Sequence, residues 1–346
     1  MIRTSHYLFA ALCLGSLFAC SRQFTDSYIV PKWCFAVFML FIVLAYEAVN
    51  ILFYRQNEQK DTRISVYGFI IVISCFLQAM FGVVQFFGFF QISTTLWVTG
   101  SFDNPAGFAA CLCAGFPFVG FLLSDSNKYI RYVGGLIGFV IVIAVILSQS
   151  RAGIMSIAFI CFILLNMKFF HKRWVKYLSL LCFALLLSGC YWMKKDSADG
   201  RLLIWRCSVS MVKDAPWLGH GIGSFEARYM DYQADYFRQY GLNRYSMLAD
   251  NVKHPFNEYL GVLLNFGFVG LLMILALITL LIYCYKKHPC AEKRIAFYSL
   301  ISIGVFSFFS YTFTYPFTWI VTFLCIIILT KEYIAKVLSL IHISEP

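Results

Sequence analysis

Charged residues are scarce in this chain: Asp, Glu, Lys and Arg make up 13% of its 346 residues, where a soluble domain carries about a quarter. The scarcity is concentrated, because none of the four occurs in 64–102, 104–124, 132–150, 259–285 or 295–330. Each gap can cross a hydrocarbon core of about 30 Å as a helix, which takes roughly 20 residues. A soluble enzyme is thereby excluded. So is an outer-membrane barrel, whose strands would alternate in spans of about ten residues. A disulfide framework is also lacking. The 13 cysteines lie mostly inside apolar runs, where a thiol behaves as a small hydrophobe. Cys111 and Cys113 have no second Cys or His pair at zinc spacing, so they make no metal site. What abounds is apolar: 60% hydrophobic and 19% aromatic residues, with 37 Phe and 21 Tyr, as lipid-facing surfaces and interfacial belts require.

The net charge of +11 does not imply nucleic acid, because in a polytopic chain the placement of Lys and Arg matters more than their sum. Apolar runs read against charged breaks give ten candidate spans, at about 7–20, 33–53, 64–89, 105–123, 129–147, 152–167, 177–192, 256–285, 295–314 and 317–329. The first follows Arg3 and is read as an uncleaved helix rather than a signal peptide, although 17–20 faintly resemble a lipoprotein cleavage box. With the amino terminus inside, sixteen basic residues fall in short inside segments: Arg3; Arg55, Lys60 and Arg63; Lys128 and Arg131; Lys168, Lys172, Arg173 and Lys176; Lys286, Lys287, Lys293 and Arg294; Lys331 and Lys336. Arg22, Lys32 and Arg151 are the three in short outside segments. The positive-inside rule then puts the long segment 194–253 outside. The expected organisation is spans one to seven in 1–193, a long outer loop in 194–255, spans eight to ten in 256–337, and a tail, 338–346, given no function. There is no internal repeat.

Arg151 lies in Ser148-Gln149-Ser150-Arg151-Ala152-Gly153, between two apolar spans at the outer boundary. An ionisable group at membrane depth is costly unless paired, so it calls for an anionic partner; the alternative is an arginine snorkelling to headgroups or capping a helix end. His254 precedes Pro255 and a long apolar run. Proline favours the first helical position, which predicts His254 as the cap, its imidazole kept neutral by the positive helix end and able to act as a general base. A surface histidine beside a helix start is the alternative. Asn257 and Glu258, three and four residues on, are expected on its face. Gly200-Arg201-Leu202-Leu203-Ile204-Trp205-Arg206 offers two arginines suited to phosphate, or ordinary interfacial arginines of an amphipathic helix. Gly219-His220-Gly221-Ile222-Gly223 mimics a nucleotide-binding fingerprint, but no strand precedes it, and the glycines are read as a tight loop. A Tyr cluster runs from Tyr229 to Tyr245. Glu47, inside the second span, is either functional or a bundle-facing structural group.

Five stretches stand in order: Gly100-Ser101-Phe102-Asp103-Asn104-Pro105; Ser148 to Gly153; Gly200-Arg201 to Trp205; Pro216-Trp217-Leu218-Gly219-His220-Gly221-Ile222-Gly223-Ser224-Phe225; and His254 to Leu260 followed by Phe266-Gly267-Phe268-Val269-Gly270. Together, over roughly 100–316, the chain resembles the O-antigen ligase and Wzy-type polymerase superfamily of bacterial inner-membrane glycan transferases. The resemblance implies an all-α polytopic transmembrane helical bundle in the inner membrane, its site facing the periplasm. The donor would be a glycan on undecaprenyl diphosphate and the acceptor a hydroxyl of lipid A-core or another outer-face glycan. It implies Arg151 and Arg201 on the carrier diphosphate and His254 as base, with Arg206, Asn104, Asn257, Glu258 and Tyr259 binding substrate. No metal or cofactor is required by this scheme, and no nucleic-acid partner is expected. The chain departs from the family in two respects. Phe256 stands where a histidine usually precedes the Asn, and ten spans against the usual twelve or so imply a missing amino-terminal pair. The rivals are a polymerase sharing the donor site, a protein O-oligosaccharyltransferase, and a lipid-glycan transporter, which would carry charged residues through several spans and repeated broken helices.

Overall fold

The computed structural model describes residues 2–53, 61–89, 98–168, 172–193 and 195–343. Arg55 and Lys60 of the expected inside set, Lys194 at the head of the expected outer loop, and 344–346 of the expected tail lie outside the described residues. The helices are α1 Ile2–Phe18, α2 Ile29–Phe53, α3 Asp61–Phe86, α4 Pro105–Gly115, α5 Val119–Leu123, α6 Lys128–Leu147, α7 Arg151–Lys168, α8 Arg173–Met193, α9 Lys195–Asp214, α10 Ser224–Tyr240, α11 Glu258–Lys287, α12 Ala291–Phe309 and α13 Pro316–Ile343. No strand occurs among the described residues, so the chain is an all-helical, polytopic membrane protein.

Among the described residues, six stretches are long and apolar enough to span a membrane: Ile29–Val49, Ile64–Phe86, Pro105–Leu123, Lys128–Leu147, Glu258–Lys287 and Pro316–Tyr333. Thr4–Phe18 and Arg151–Met167 are apolar but shorter. Ten spans were expected. The stretch 105–123 is two helices joined by a 3₁₀ turn at Phe116–Phe118, where Pro117 removes a backbone donor. Helix α13 runs on past 338 to Ile343. The segment expected as one long loop holds two helices, α9 and α10.

The chain divides into two compact units, one formed by Met1–Ile160, Tyr283–Ile303 and Thr312–Pro346, the other by Cys161–Ile282 and Gly304–Tyr311. In the first, α1 packs on α2 around Leu12, Ala36 and Met39. Helix contacts in an apolar medium lean on small residues and polar bridges, and here serines serve: Ser302 donates to the Cys113 carbonyl at 2.7 Å and Ser299 to the Ala114 carbonyl at 2.6 Å. Glu47 accepts from Ser5 at 2.6 Å, and the Tyr67 hydroxyl lies 2.9 Å from the same Ser5 oxygen, so the Ser5 hydroxyl links α1 to Glu47 of α2 and Tyr67 of α3. The fully buried Lys293 pairs with Glu332 at 2.9 Å. Large apolar side chains such as Phe38, Phe41, Leu136 and Phe139 stay exposed on the helices, as lipid contact requires.

In the second unit, α9 presents Leu203, Ile204, Cys207 and Met211, spaced by helical turns, to Phe225 and Tyr229 of α10, with Tyr245 and Leu264 completing the core. Truncating Leu203 to Ala costs about 2–5 kcal/mol by the usual cavity penalty. The loop after α9 lies along a break in α11. Gly267 there has φ 61° and ψ −158°, a conformation open to glycine alone. The freed backbone groups are taken up across the break: His220 donates to the Leu264 carbonyl at 2.7 Å, Gly221 to Asn265 at 3.1 Å, and Phe268 to Pro216 at 2.8 Å. A Cβ on Gly219 would sit 2.6 Å from the Asn265 carbonyl carbon, and one on Gly267 would sit 2.3 Å from Trp217 backbone. The glycine-rich run is a backbone clamp, and a helix rather than a strand precedes it.

Candidate functional site

In the second unit, α9 and the segment before α11 bring together residues far apart in sequence. Trp205 of α9 donates from Nε1 to the Pro255 carbonyl at 3.0 Å, which fixes 254–256 against the helix. Arg201, one turn earlier, donates to the Phe309 carbonyl at 2.6 Å and lies over the Phe256 ring, 5.0 Å from its centroid. Phe256 contacts Tyr311 edge-on at 5.4 Å, and His254 stacks on the same Tyr311 at 4.5 Å with 22° between planes. Arg201 and His254 therefore meet one aromatic pair. Phe256 holds φ 52°, strained for a bulky residue, and this left-handed turn directs its ring between Arg201 and Tyr311.

The expected cap is corrected. Helix α11 starts at Glu258, and Asn257 caps it, its Oδ1 accepting from the Leu260 N–H at 3.0 Å. His254 precedes the helix, so helical spacing to Asn257 and Glu258 does not apply. The imidazole is nevertheless held towards the neutral form: burial lowers its pKa below the ordinary histidine value, the Glu226 carboxylate opposes this by raising it, and Lys253 lowers it further. The acid whose field reaches His254 is thus Glu226 rather than Glu258. Glu258 sits in the first turn of α11, where a carboxylate favours the helix end. Tyr259 donates to the Gly304 carbonyl at 3.0 Å.

Among the described residues no hydrogen bond engages either ring nitrogen of His254. His220 is the opposite case. Its Nε2 donates to the Met211 carbonyl at 2.7 Å, and its Nδ1 accepts from Arg228 at 3.1 Å. His220 lies in the loop that the glycines predict, and its contacts to α9 and α10 commit both nitrogens. Arg206 lies five residues beyond Arg201, about 140° round the helix. It therefore faces Tyr236 and Tyr245 instead of Phe256.

Arg151 and Asn104 belong to the first unit. Gln149 turns the chain at φ 53° between α6 and α7. Ser150 opens α7, its Oγ accepting from Gly153 N–H at 3.4 Å and its carbonyl from Ile154 at 2.9 Å. That leaves Arg151, half-buried, as the first residue of α7, at the positive end of a helix dipole where a cation is disfavoured. Asn104 caps α4, its Oδ1 accepting from Gly107 N–H at 3.0 Å and from the Tyr315 hydroxyl at 3.2 Å. Tyr311 and Glu226 were not legible as site residues, having no local motif, and Trp205, though inside the Gly200 to Trp205 stretch, was given no role; the chain gap of 57 between His254 and Tyr311 is bridged only by folding.

No curated protein matches the chain. Residues 136–275 match the family model described as O-antigen ligase, a span that takes in Arg151, Arg201, Arg206, His254, Asn257, Glu258 and Tyr259. Through this segment, 140 of the 346 residues, the chain is similar to the O-antigen ligase family.

Proposed function

We propose that the protein is an O-antigen ligase-class transferase of the bacterial inner membrane, moving a glycan from undecaprenyl diphosphate onto lipid A-core or a similar acceptor at the periplasmic face. The observation that carries this reading is the convergence of Arg201 and His254 on the Phe256 and Tyr311 rings. An acceptor hydroxyl attacks the anomeric carbon of the donor sugar. The bond from that carbon to the diphosphate oxygen breaks, the carrier diphosphate leaves with the bonding electron pair, and the hydroxyl proton passes to a ring nitrogen of His254. Charge grows on the diphosphate as it leaves, and fixed guanidinium groups stabilise that charge without reorganising. Arg201, oriented by the Phe309 carbonyl, is suited to this. Arg151 is assigned to the carrier diphosphate by the family resemblance alone, as a guanidinium suited to phosphate. Arg206, Asn104, Asn257, Glu258 and Tyr259 would support the substrates, Asn104 and Asn257 through the caps they form. The scheme needs no metal.

The test is deletion of the gene followed by gel analysis of surface glycans. Loss of all chains attached to the core supports the ligase; single repeat units retained on the core would assign the protein as a polymerase instead.

A further inference from the structure

Tyr245 is 2% exposed and forms part of the α9–α10 core. Its backbone is fixed by a tight turn: its N–H donates to Asn243 Oδ1 at 2.9 Å, Asn243 N–H donates to Ser246 Oγ at 2.9 Å, and Leu248 N–H donates to the Tyr245 carbonyl at 2.9 Å. Two exposed arginines lie against this one ring, Arg206 at 5.2 Å and Arg244 at 4.7 Å from its centroid. Each is anchored by a phenol: Arg244 donates to the Tyr245 hydroxyl, and Arg206 to the Tyr236 hydroxyl at 3.4 Å. A guanidinium has five donors, and the others find no protein acceptor among the described residues. Nor does either group reach a carboxylate at ion-pair distance there, whereas Arg238 of α10 pairs with Asp235 at 2.8 Å. Asp199, which receives a hydrogen bond from Tyr191 at 3.3 Å, acts on Arg244 by its field alone.

Two like charges gathered on a rigid ring repel each other until an anion joins them. Arginine's planar fork suits a carboxylate or phosphate held through two oxygens. Beside Arg206, Tyr236 lies 4.9 Å from Tyr240, which is 61% exposed. Aromatic faces next to donors present a sugar with both an apolar surface for its C–H groups and partners for its oxygens.

We propose that Arg206 and Arg244, gathered around Tyr245, form a glycan subsite apart from Arg201 and His254 that selects a sugar carrying an anionic group, a carboxylate or a phosphate. The proposal rests on the transferase reading above and specifies the glycan: the chain being joined, or the acceptor receiving it, is acidic near the reacting end.

The test uses the purified full-length protein in detergent and measures binding by saturation-transfer NMR. The probes are cellobiuronic acid, its neutral counterpart cellobiose, and glucose 6-phosphate against glucose. At least one acidic probe is expected to bind tenfold or more tightly than its neutral partner, and a preference confined to the carboxylate or to the phosphate identifies the anion. Arg206→Met and Arg244→Met should each remove that preference, Arg244→Lys should restore part of it, and Arg238→Met should leave it unchanged. Equal affinity within both pairs of probes, or a full preference in both Met variants, overturns the proposal. No carrier lipid is present and no transfer is read, so a failure here is separate from a failure of the transferase reading.

Discussion

The imidazole of His254 lies against the phenol ring of Tyr311, centroids 4.5 Å apart and planes 22° from parallel. This stack covers one face of the histidine while its ring nitrogens stay unengaged among the described residues, which is what a base awaiting an acceptor hydroxyl requires.

Burial against Tyr311 also sets a pH dependence. The folded protein holds the His254 pKa below the ordinary 6.5, so the unfolded chain binds more protons near that value, and this group's contribution to stability is present above pH 6.5 and falls as pH drops below it. For transfer, the neutral base persists to lower pH, and the acid limb of the kcat/KM profile is expected below pH 6.5. Tyr311→Ala exposes the imidazole and should move that limb upward. A limb above pH 6.5 in the wild type, unmoved by Tyr311→Ala, would separate His254 from the chemistry.

Arg151→Ala is expected to abolish transfer while the protein inserts at its normal level. A charge-assisted contact that strengthens in the transition state is worth on the order of 3 kcal/mol, roughly a hundredfold in rate. Arg151→Lys should recover little, because a point charge does not reproduce the planar fork. Near-normal transfer by the Ala variant at matched protein level would return Arg151 to a headgroup contact.

The glycine clamp makes a stability prediction independent of chemistry. Gly219 has φ 69°, and a Cβ there would press on the backbone at Asn265 and Phe266. Gly219→Ala combines about 1–2 kcal/mol of left-handed strain with displacement of the α11 break. It should lower the midpoint of thermal unfolding in detergent by several degrees, while Gly221→Ala, which meets no atom within 4 Å, should lower it less.

Orientation is tested by single-cysteine labelling with an impermeant reagent in cells permeable only at the outer membrane, after the native cysteines are replaced. Gln239→Cys in α10 is expected to react and Lys287→Cys at the end of α11 to stay protected. The reverse pattern would put the α9–α10 layer, and its site, on the cytoplasmic side.

The helical, polytopic character was legible because hydrophobic runs without charge have one solution in a bilayer. The α9–α10 layer was less so, since its apolar positions are shared with a polar surface, and what reads as a loop folds into two helices. Among the site residues, Arg201 and His254 stood out as a cation and a base flanking apolar helices. Their convergence did not, because it runs through Phe256 and Tyr311. The cap was misplaced by three residues for a local reason. Proline preference pointed to His254, but Phe256 turns the chain through a left-handed conformation and leaves Asn257 to accept the first free N–H. The role of His220 was hidden because its partners, Met211 and Arg228, are set by helix packing.

The central claim is that His254 removes the acceptor proton while the arginines hold the carrier. It is tested most directly by single-turnover transfer from a lipid-diphosphate donor with purified protein, comparing wild type, His254→Ala and His220→Ala at matched folded amounts. His254→Ala is expected to slow transfer by roughly a hundredfold or more with donor affinity preserved. His220→Ala should lose about 1–3 kcal/mol of stability through its orphaned partners and keep its rate per folded molecule. Full activity in the His254 variant beside an inactive, folded His220 variant would contradict the account.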